Sequence, residues 1–284
     1  DSACDLSKKY IAEHDITIVP LSVSFDGETY YRDSIDISRD ECYERMVSNP
    51  GVYPKTSLPS VDSYYNAFKE FTDKGIPVVC FTITLIFSGS YNSAMNAKEM
   101  IEEENPDANI TVIDSKQNTV TQALIIDQMV RMRDAGISFE DSLKKLEPLM
   151  ASARIFFTVG SLDYLKMGGR IGKLASIASK IDVKPVIIMK DGDISLGGIG
   201  RNRNKLKAKV LSTAKAYLDE NGKDNFVVSV GYGYDKTEGV SFMNDVEETL
   251  GVKLNSETNV AIGIVSGVHT SPHPIGLGVI RKYE

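Results

Sequence analysis

The chain has 284 residues, of which 42% are hydrophobic and 25% are charged, and its net charge at pH 7 is −7. This size and composition are typical of a globular protein that buries one large core or two ordinary ones. The negative charge argues against a general nucleic-acid binder and favours a cytoplasmic location. No apolar run approaches the ~18 residues that cross a bilayer, so we expect no stable membrane insertion.

Cysteine and histidine spacing bears on metal binding and on the redox compartment. Cys4, Cys42 and Cys80 are odd in number, widely spaced and form no CxxC pair, which predicts buried free thiols. With His14 remote from the other histidines and no cysteine near them, we expect no metal site and no cofactor. Since the chain begins at Asp1 without Met, we also expect a short N-terminal piece to be missing.

The first half of the chain alternates between predicted strands and predicted helices. Asp26-Gly27 predicts a hairpin turn, and Ser38 and Ser60 predict the N-caps of two helices. The predicted elements are a strand at 17–25, helices at 38–47 and from 60, a buried strand at 77–86, a helix from 90, a strand at 109–113 and a helix at 119–135. This order indicates an N-terminal α/β/α domain, residues 1–152, with a mainly parallel sheet.

The second half mixes a hairpin with crossover helices. Lys190-Asp191-Gly192-Asp193 is a hairpin signature between two apolar runs. The predicted elements are strands at 154–159, 186–189, 194–199 and 225–231, helices at 171–181, 203–221 and 237–250, and strands near 261 and 276. We therefore predict a C-terminal α/β domain, residues 153–284, with a mixed sheet. The helix at 171–181 is most simply core packing, although its small residues leave room for an acyl chain.

Two hydroxyl-rich turns are the most informative segments. Thr56-Ser57-Leu58-Pro59-Ser60 and Phe87-Ser88-Gly89-Ser90 each precede a predicted helix, where unpaired backbone N–H groups favour an anion. Capping alone explains one such turn, because serine is a common N-cap. Two turns that converge on one crevice would instead hold a small acidic group. Neither motif contains Arg or Lys, so the group would be held by neutral donors.

Three further segments are candidates for ligand or partner contacts. His269, which we expect between an apolar strand and a turn, is able to donate to the same acidic group. Gly168-Gly169-Arg170 allows a close backbone approach, or is only a domain hinge. Arg201, Arg203, Lys205, Lys207 and Lys209 form a basic segment, which is either solvated helix surface or a docking patch for an acidic partner.

Several enzyme signatures are absent from the sequence. It contains no GxSxG elbow, no GxxxxGK[ST] loop, no HExxH and no GxGxxG after a strand. Ser88 and His269 would serve a hydrolase, but no acid partner for the histidine is identifiable. We therefore expect a binding protein without catalysis of its own. The alternatives are a Ser88-dependent acyl hydrolase, a phosphotransferase subunit, or an interaction module that uses the basic segment.

Taken together, these motifs resemble the DegV family of bacterial fatty-acid-binding proteins. The resemblance runs in order along essentially the whole chain and rests on Asp1-Ser2-Ala3-Cys4-Asp5-Leu6, Thr56-Ser57-Leu58-Pro59-Ser60, Phe87-Ser88-Gly89-Ser90-Tyr91-Asn92-Ser93-Ala94, Asp114-Ser115, Tyr164-Leu165-Lys166-Met167-Gly168-Gly169-Arg170-Ile171, Lys184-Pro185 and Val268-His269-Thr270. It implies a two-domain α/β fold that encloses one long-chain fatty acid between its domains. It also implies a partner, a separate fatty acid kinase that makes an acyl phosphate for phospholipid synthesis.

The resemblance assigns site residues. The carboxylate contacts of the family fall on Thr56, Ser88 and His269. Apart from the resemblance, the residues themselves make Ser57, Gly89, Arg170, Arg201 and Arg203 additional candidates for ligand or partner contacts. The family commonly follows its His-Thr pair with Gly-Pro-Gly, whereas this chain has Ser271-Pro272-His273-Pro274. Because glycine tolerates positive φ, we expect close backbone approach to be harder here.

Overall fold

The computed structural model describes residues 1–175, 184–254 and 257–284. Its largest sheet has six strands in the order β10-β9-β11-β6-β7-β8, in which β10 and β9 are parallel and all other neighbours are antiparallel. These strands are β6 (Arg154–Thr158), β7 (Lys184–Lys190), β8 (Asp193–Gly200), β9 (Phe226–Tyr232), β10 (Val260–Ala261) and β11 (Ile275–Arg281). The mixed sheet predicted for the second half of the chain is confirmed.

The first half of the chain contributes two smaller sheets. A parallel pair and a three-stranded antiparallel sheet of order β2-β1-β3 carry the segments that lead to the hydroxyl-rich turns. The strands are β1 (Ser22–Ser24), β2 (Tyr31–Arg32), β3 (Lys55–Ser57), β4 (Val78–Thr82) and β5 (Ile110–Asp114), with β4 parallel to β5. The predicted α/β class, with parallel strands first and a mixed sheet second, is confirmed.

Ten α-helices lie within the described residues. They are α1 (Lys8–Glu13), α2 (Arg39–Ser48), α3 (Val61–Thr72), α4 (Ser90–Glu104), α5 (Thr119–Asp134), α6 (Phe139–Ser152), α7 (Asp163–Met167), α8 (Arg203–Asn221), α9 (Lys236–Leu250) and α10 (Ile264–Thr270). Most of the helix predicted at 171–181 lies outside the described residues. Only a 3₁₀ turn at Gly172–Leu174 is described there.

Local sequence signals account for several element boundaries. The hydroxyls of Ser38 and Ser60 each accept a hydrogen bond from a backbone N–H in the first turn of their helix, as predicted. The β7–β8 hairpin turns at Asp191 and Gly192, whose φ angles of 51° and 86° suit a two-residue turn. All three cysteines are buried free thiols.

Helix α5 is the central packing element. All but three of its 16 residues are buried, because the parallel pair packs on one side and the six-stranded sheet on the other. Glycines in the sheet permit this close packing: a Cβ at Gly278 would lie 2.3 Å from Thr121 Oγ1, and one at Gly231 would lie 2.8 Å from Val120 Cγ1. Helices α8 and α9 cover the opposite face of the sheet.

Candidate functional site

A cavity of about 450 Å³ lies where segments from both halves of the chain meet. Strand β3, the segment 83–89 after β4, and Asn118 line it from the first half. Strands β6 to β8, the loop after α7, and helix α10 line it from the second half. Its apolar lining residues are Leu21, Leu58, Ile83, Leu85, Ile86, Phe87, Phe157, Leu165, Met189, Ile194 and Val265. The cavity therefore has a mixed lining, in which apolar side chains lie beside a group of polar ones.

Thr56 and His269, which are 213 residues apart in sequence, contact each other at this cavity. Thr56 Oγ1 lies 2.9 Å from His269 Nε2, within hydrogen-bond distance. Thr56 is held by strand β3, where it pairs with Val23 of β1, and His269 lies in the last turn of α10. Both side chains line the cavity.

The placement of His269 differs from the sequence-based expectation. We predicted a position between a strand and a turn, but residues Ile264–Thr270 form helix α10. The helix is buried throughout its first six residues, so its sequence shows no amphipathic period that would reveal it. Ser271 follows at φ 72°, and its Oγ accepts a hydrogen bond from the Gly160 N–H at 3.0 Å. That bond stabilises a turn in which we expected serine to be less favourable than glycine.

Ser88 lines the cavity from the start of α4. Its Oγ accepts a hydrogen bond from the Ser90 N–H at 3.2 Å, but the N-cap residue of the helix is Gly89, so the simpler interpretation of Ser88 as the cap is wrong. The hydroxyl proton is still free to donate to a group in the cavity. Ser90 faces away from the cavity and lies 3.0 Å from the buried Tyr64 hydroxyl.

The additional candidates Ser57, Gly89 and Arg170 also line the cavity. Arg170 donates from Nε to the Phe87 carbonyl at 3.2 Å, and its guanidinium also donates to the Gly168 carbonyl. No carboxylate of the described residues pairs with it. Burial lowers the pKa of Arg170 from its usual value, yet the group stays cationic at neutral pH. An unpaired guanidinium beside the cavity adds a positive potential.

Arg201 and Arg203 do not line the cavity. Arg203 donates to both carboxylate oxygens of Glu238, at 2.8 and 2.7 Å, and Lys207 lies 3.5 Å from the same side chain. Arg201 is exposed. A contact between these arginines and a partner protein stays a prediction.

Burial and the nearby positive charge of Arg170 lower the pKa of His269 to about 3, so the imidazole is neutral at physiological pH. Among the described residues, its Nδ1 is buried and has no hydrogen-bond partner. A catalytic triad has a carboxylate at that nitrogen, and none of the described carboxylates occupies that place.

Sequence reasoning missed three polar residues that line the cavity, namely Asn118, Ser266 and Thr270. The same three residues line an adjoining space of about 40 Å³ beside strands β9 and β11. Asn118 precedes the predicted helix at 119–135, so its position as a helix start was the available signal. Ser266 and Thr270 belong to the unpredicted helix α10.

In the described part of the chain, no cluster of three or more His, Cys, Asp or Glu side chains is arranged to bind a metal ion. Within those same residues, no helix has the length and hydropathy needed to span a membrane.

The DegV family model matches residues 1–282, and the chain belongs to this family. A DegV domain-containing protein of Staphylococcus aureus is 29% identical over 286 residues, covering 99% of this chain and 97% of that protein.

Two solved structures are similar to this one. A stearic-acid-binding protein from Eubacterium ventriosum is 74% identical, with a TM-score of 0.98 over 100% of this chain and 97% of that chain. A DegV family protein from Thermus thermophilus, reported for its fatty-acid binding, is 25% identical, with a TM-score of 0.87 over 99% and 97%. DegV homologues therefore bind fatty acids in solved structures.

Proposed function

We propose that this chain binds one long-chain fatty acid in the 450 Å³ cavity, with the carboxylate held by Thr56, Ser88 and His269. The observation that carries the proposal is the convergence of these side chains on an apolar cavity. The stearic-acid-binding relative supports the ligand class, because the two chains are 74% identical over their whole length. On this basis the cavity is the ligand site between the two proposed domains, residues 1–152 and 153–284.

The energetics favour an acyl chain as the ligand. Each buried methylene contributes ~0.8 kcal/mol, so about fourteen of them contribute about 11 kcal/mol before the costs of association. The head group then needs orientation and compensation for lost water. Hydrogen bonds from neutral hydroxyls to a carboxylate contribute about 1.5–3 kcal/mol each. The apolar lining therefore supplies most of the affinity, and the hydroxyls fix which end of the ligand lies at Thr56.

We further propose that the chain is not an enzyme by itself and presents its ligand to a separate cytoplasmic fatty acid kinase. Held by hydroxyls instead of an arginine fork, the carboxylate keeps an oxygen available for phosphoryl transfer. The exposed Arg201 and the partly exposed Arg170 are the proposed contacts for the partner or for the transferred phosphate. Formation of acyl phosphate from ATP should require both proteins.

The ligand proposal is tested by extracting lipid from the purified protein for mass spectrometry, before and after incubation with stearate. The wild-type protein should yield fatty acid at up to one molecule per chain. The double variant Thr56→Val and Ser88→Ala should retain much less after the same washing. Its matched control, Thr237→Val with Ser212→Ala, changes two exposed helix residues and should load like the wild type. Failure of the wild-type protein to load would refute the proposal.

A further inference from the structure

The contact between Thr56 and His269 leaves the direction of its hydrogen bond open, because a neutral imidazole carries one proton on either nitrogen. With the proton on Nε2, His269 donates to Thr56 Oγ1, and the threonine proton is free for a ligand. With the proton on Nδ1, the threonine donates to His269 and presents only a lone pair. A carboxylate ligand requires the first arrangement, since it accepts hydrogen bonds and donates none.

Gly168 determines what surrounds the other nitrogen. A Cβ built on Gly168 would lie 2.2 Å from His269 Nδ1 and 2.8 Å from Cε1, so the ring occupies the space of the missing side chain. The φ of Gly168 is −76°, which any residue adopts. Glycine is therefore needed at this position for space and not for backbone conformation.

No group of the described residues accepts a hydrogen bond from Nδ1. Nδ1 is buried without a hydrogen-bond partner and faces the Cα of Gly168. An orphaned buried N–H is rarer in proteins than an acceptor without a partner, and a Cα–H group is a weak donor. Nearby, the positive charge of Arg170 favours a lone pair over an N–H dipole at that nitrogen.

We infer that Gly168 is a positioning residue that holds His269 as the Nε2–H tautomer, so that the Thr56 hydroxyl proton points to the ligand acid. The inference rests on the proposed function and deepens it, because it assigns the donor of each hydrogen bond between His269, Thr56 and the ligand. His269 then supports the carboxylate through Thr56, because its one ring proton is donated to Thr56 Oγ1 and not to the ligand. The site as a whole is a set of donors and selects an ionised acid over an ester or an alcohol.

Nuclear magnetic resonance of ¹⁵N-histidine-labelled protein tests the tautomer directly. The chain has only His14, His269 and His273, and a His269 variant assigns the signals. Nε2 couples to both ring carbon-bound protons, whereas Nδ1 couples strongly to one, so the protonated nitrogen is identified by its coupling pattern. We expect protonated Nε2 at neutral pH, with and without stearate. Protonated Nδ1 would overturn the inference, and this readout does not depend on ligand binding.

Two isosteric substitutions test the consequence for binding. Glutamine places an amide N–H near the position of Nε2, and asparagine places one near Nδ1. His269→Gln should keep stearate affinity within a few-fold, and His269→Asn should weaken it about tenfold to a hundredfold, as loss of a charged hydrogen bond does. The reverse order would overturn the inference. Absence of stearate binding in the wild-type protein would instead refute the proposed function.

Gly168→Ala tests the positioning role. We expect it to displace the ring, change the coupling pattern of His269 and weaken stearate binding to the level of His269→Asn. The control is Met167→Ala at the neighbouring position, where the side chain is 63% exposed, and it should change neither readout. If Gly168→Ala leaves the His269 signals unchanged in a folded protein, Gly168 has no such role. If it fails to fold, the coupling pattern of His269 in the wild-type protein still tests the tautomer.

Discussion

At the scale of single residues, the proposed carboxylate site differs from an ordinary anion site in having neutral donors at its centre. Thr56 and His269 contact each other, Ser88 accepts a hydrogen bond from the Ser90 N–H, and the guanidinium of Arg170 is held by two backbone carbonyls. An arginine fork would bind both oxygens of a carboxylate and fix them. The proposed hydroxyl arrangement would bind less tightly and would leave the acid accessible to the proposed partner protein.

From the low pKa of His269 we predict how the stability of the folded protein depends on pH. Unfolded imidazole takes up a proton below pH 6.5, whereas folded His269 does so only at about pH 3. Between these values the unfolded state binds more protons, so the contribution of His269 is complete above pH 6.5 and is lost as the pH falls towards 3. The full loss is on the order of 5 kcal/mol. Chemical denaturation of wild type and His269→Gln between pH 7.5 and 4.5 should show the stability difference shifting in favour of the variant as the pH falls.

Other buried groups change the stability in the opposite direction as the pH falls. The pH dependence of the wild-type protein alone therefore does not isolate His269, and the comparison with His269→Gln is needed. Burial raises the pKa of Asp5 and of Asp33, so their contributions are present at low pH and are lost as the pH rises through the folded values. Both carboxyls are the same in the two proteins, and their effect cancels in the difference. A pH-independent difference between wild type and His269→Gln would contradict the assigned pKa.

At the scale of elements, the sequence predicts the features that depend on local signals and misses features that depend on tertiary packing. Ser38 and Ser60 mark helix starts because a cap acts within one turn. The apolar run 77–86 was predicted as one strand, but β4 ends at Thr82, and Leu85 and Ile86 are each 53% exposed at the cavity. A run of apolar residues does not distinguish a buried strand from an apolar cavity rim.

The contact between Thr56 and His269 illustrates a second limit of prediction from sequence. Their separation of 213 residues is beyond what periodicity or spacing reports. Their side-chain chemistry suggested a shared acidic ligand, and the family resemblance assigned both to it, but neither predicted their direct contact. Helix α6 was missed as well, although Ser138 caps it. Its sequence lies next to the proposed domain boundary at residue 152, where we predicted no element between the helix at 119–135 and the strand at 154–159.

Helix α10 supports a prediction about packing, because it carries His269 and approaches its neighbours through glycine. A Cβ at Gly267 would lie 2.5 Å from the Tyr43 hydroxyl oxygen, and Tyr43 is fully buried where it donates to the Ile262 carbonyl at 3.0 Å. Gly267→Ala should therefore shift α10, destabilise the protein by about 1–3 kcal/mol and weaken stearate binding.

Thermal denaturation and stearate titration of Gly267→Ala check this expectation. The control is Ala208→Gly on the exposed face of α8, which costs about 1 kcal/mol through helix propensity and touches no part of the cavity. It should lower the melting temperature and leave the affinity unchanged. Normal stearate affinity in Gly267→Ala would show that the position of His269 does not depend on this contact.

At the scale of the whole molecule, the cavity is lined from both halves of the chain, and a second contact joins them beside it. The Thr84 hydroxyl donates to the Gly192 carbonyl at 3.1 Å, which fixes the turn of the β7–β8 hairpin against the segment that leads to Ser88. A Cβ at Gly192 would lie 2.7 Å from Thr84 Oγ1, so the turn fits closely. An acyl chain in the cavity would add contacts to both halves at once.

A ligand that contacts both halves should stabilise the molecule as one cooperative unit. With free stearate at about 100 times Kd, the stabilisation is about 2.7 kcal/mol, which for a chain of this size raises Tm by roughly 5–10 °C. Scanning calorimetry of delipidated protein with and without stearate should show one transition moving upward. The Thr56→Val and Ser88→Ala double variant should move less at the same stearate concentration. Two transitions, of which stearate shifts only one, would mean that the ligand is held by one half of the chain alone.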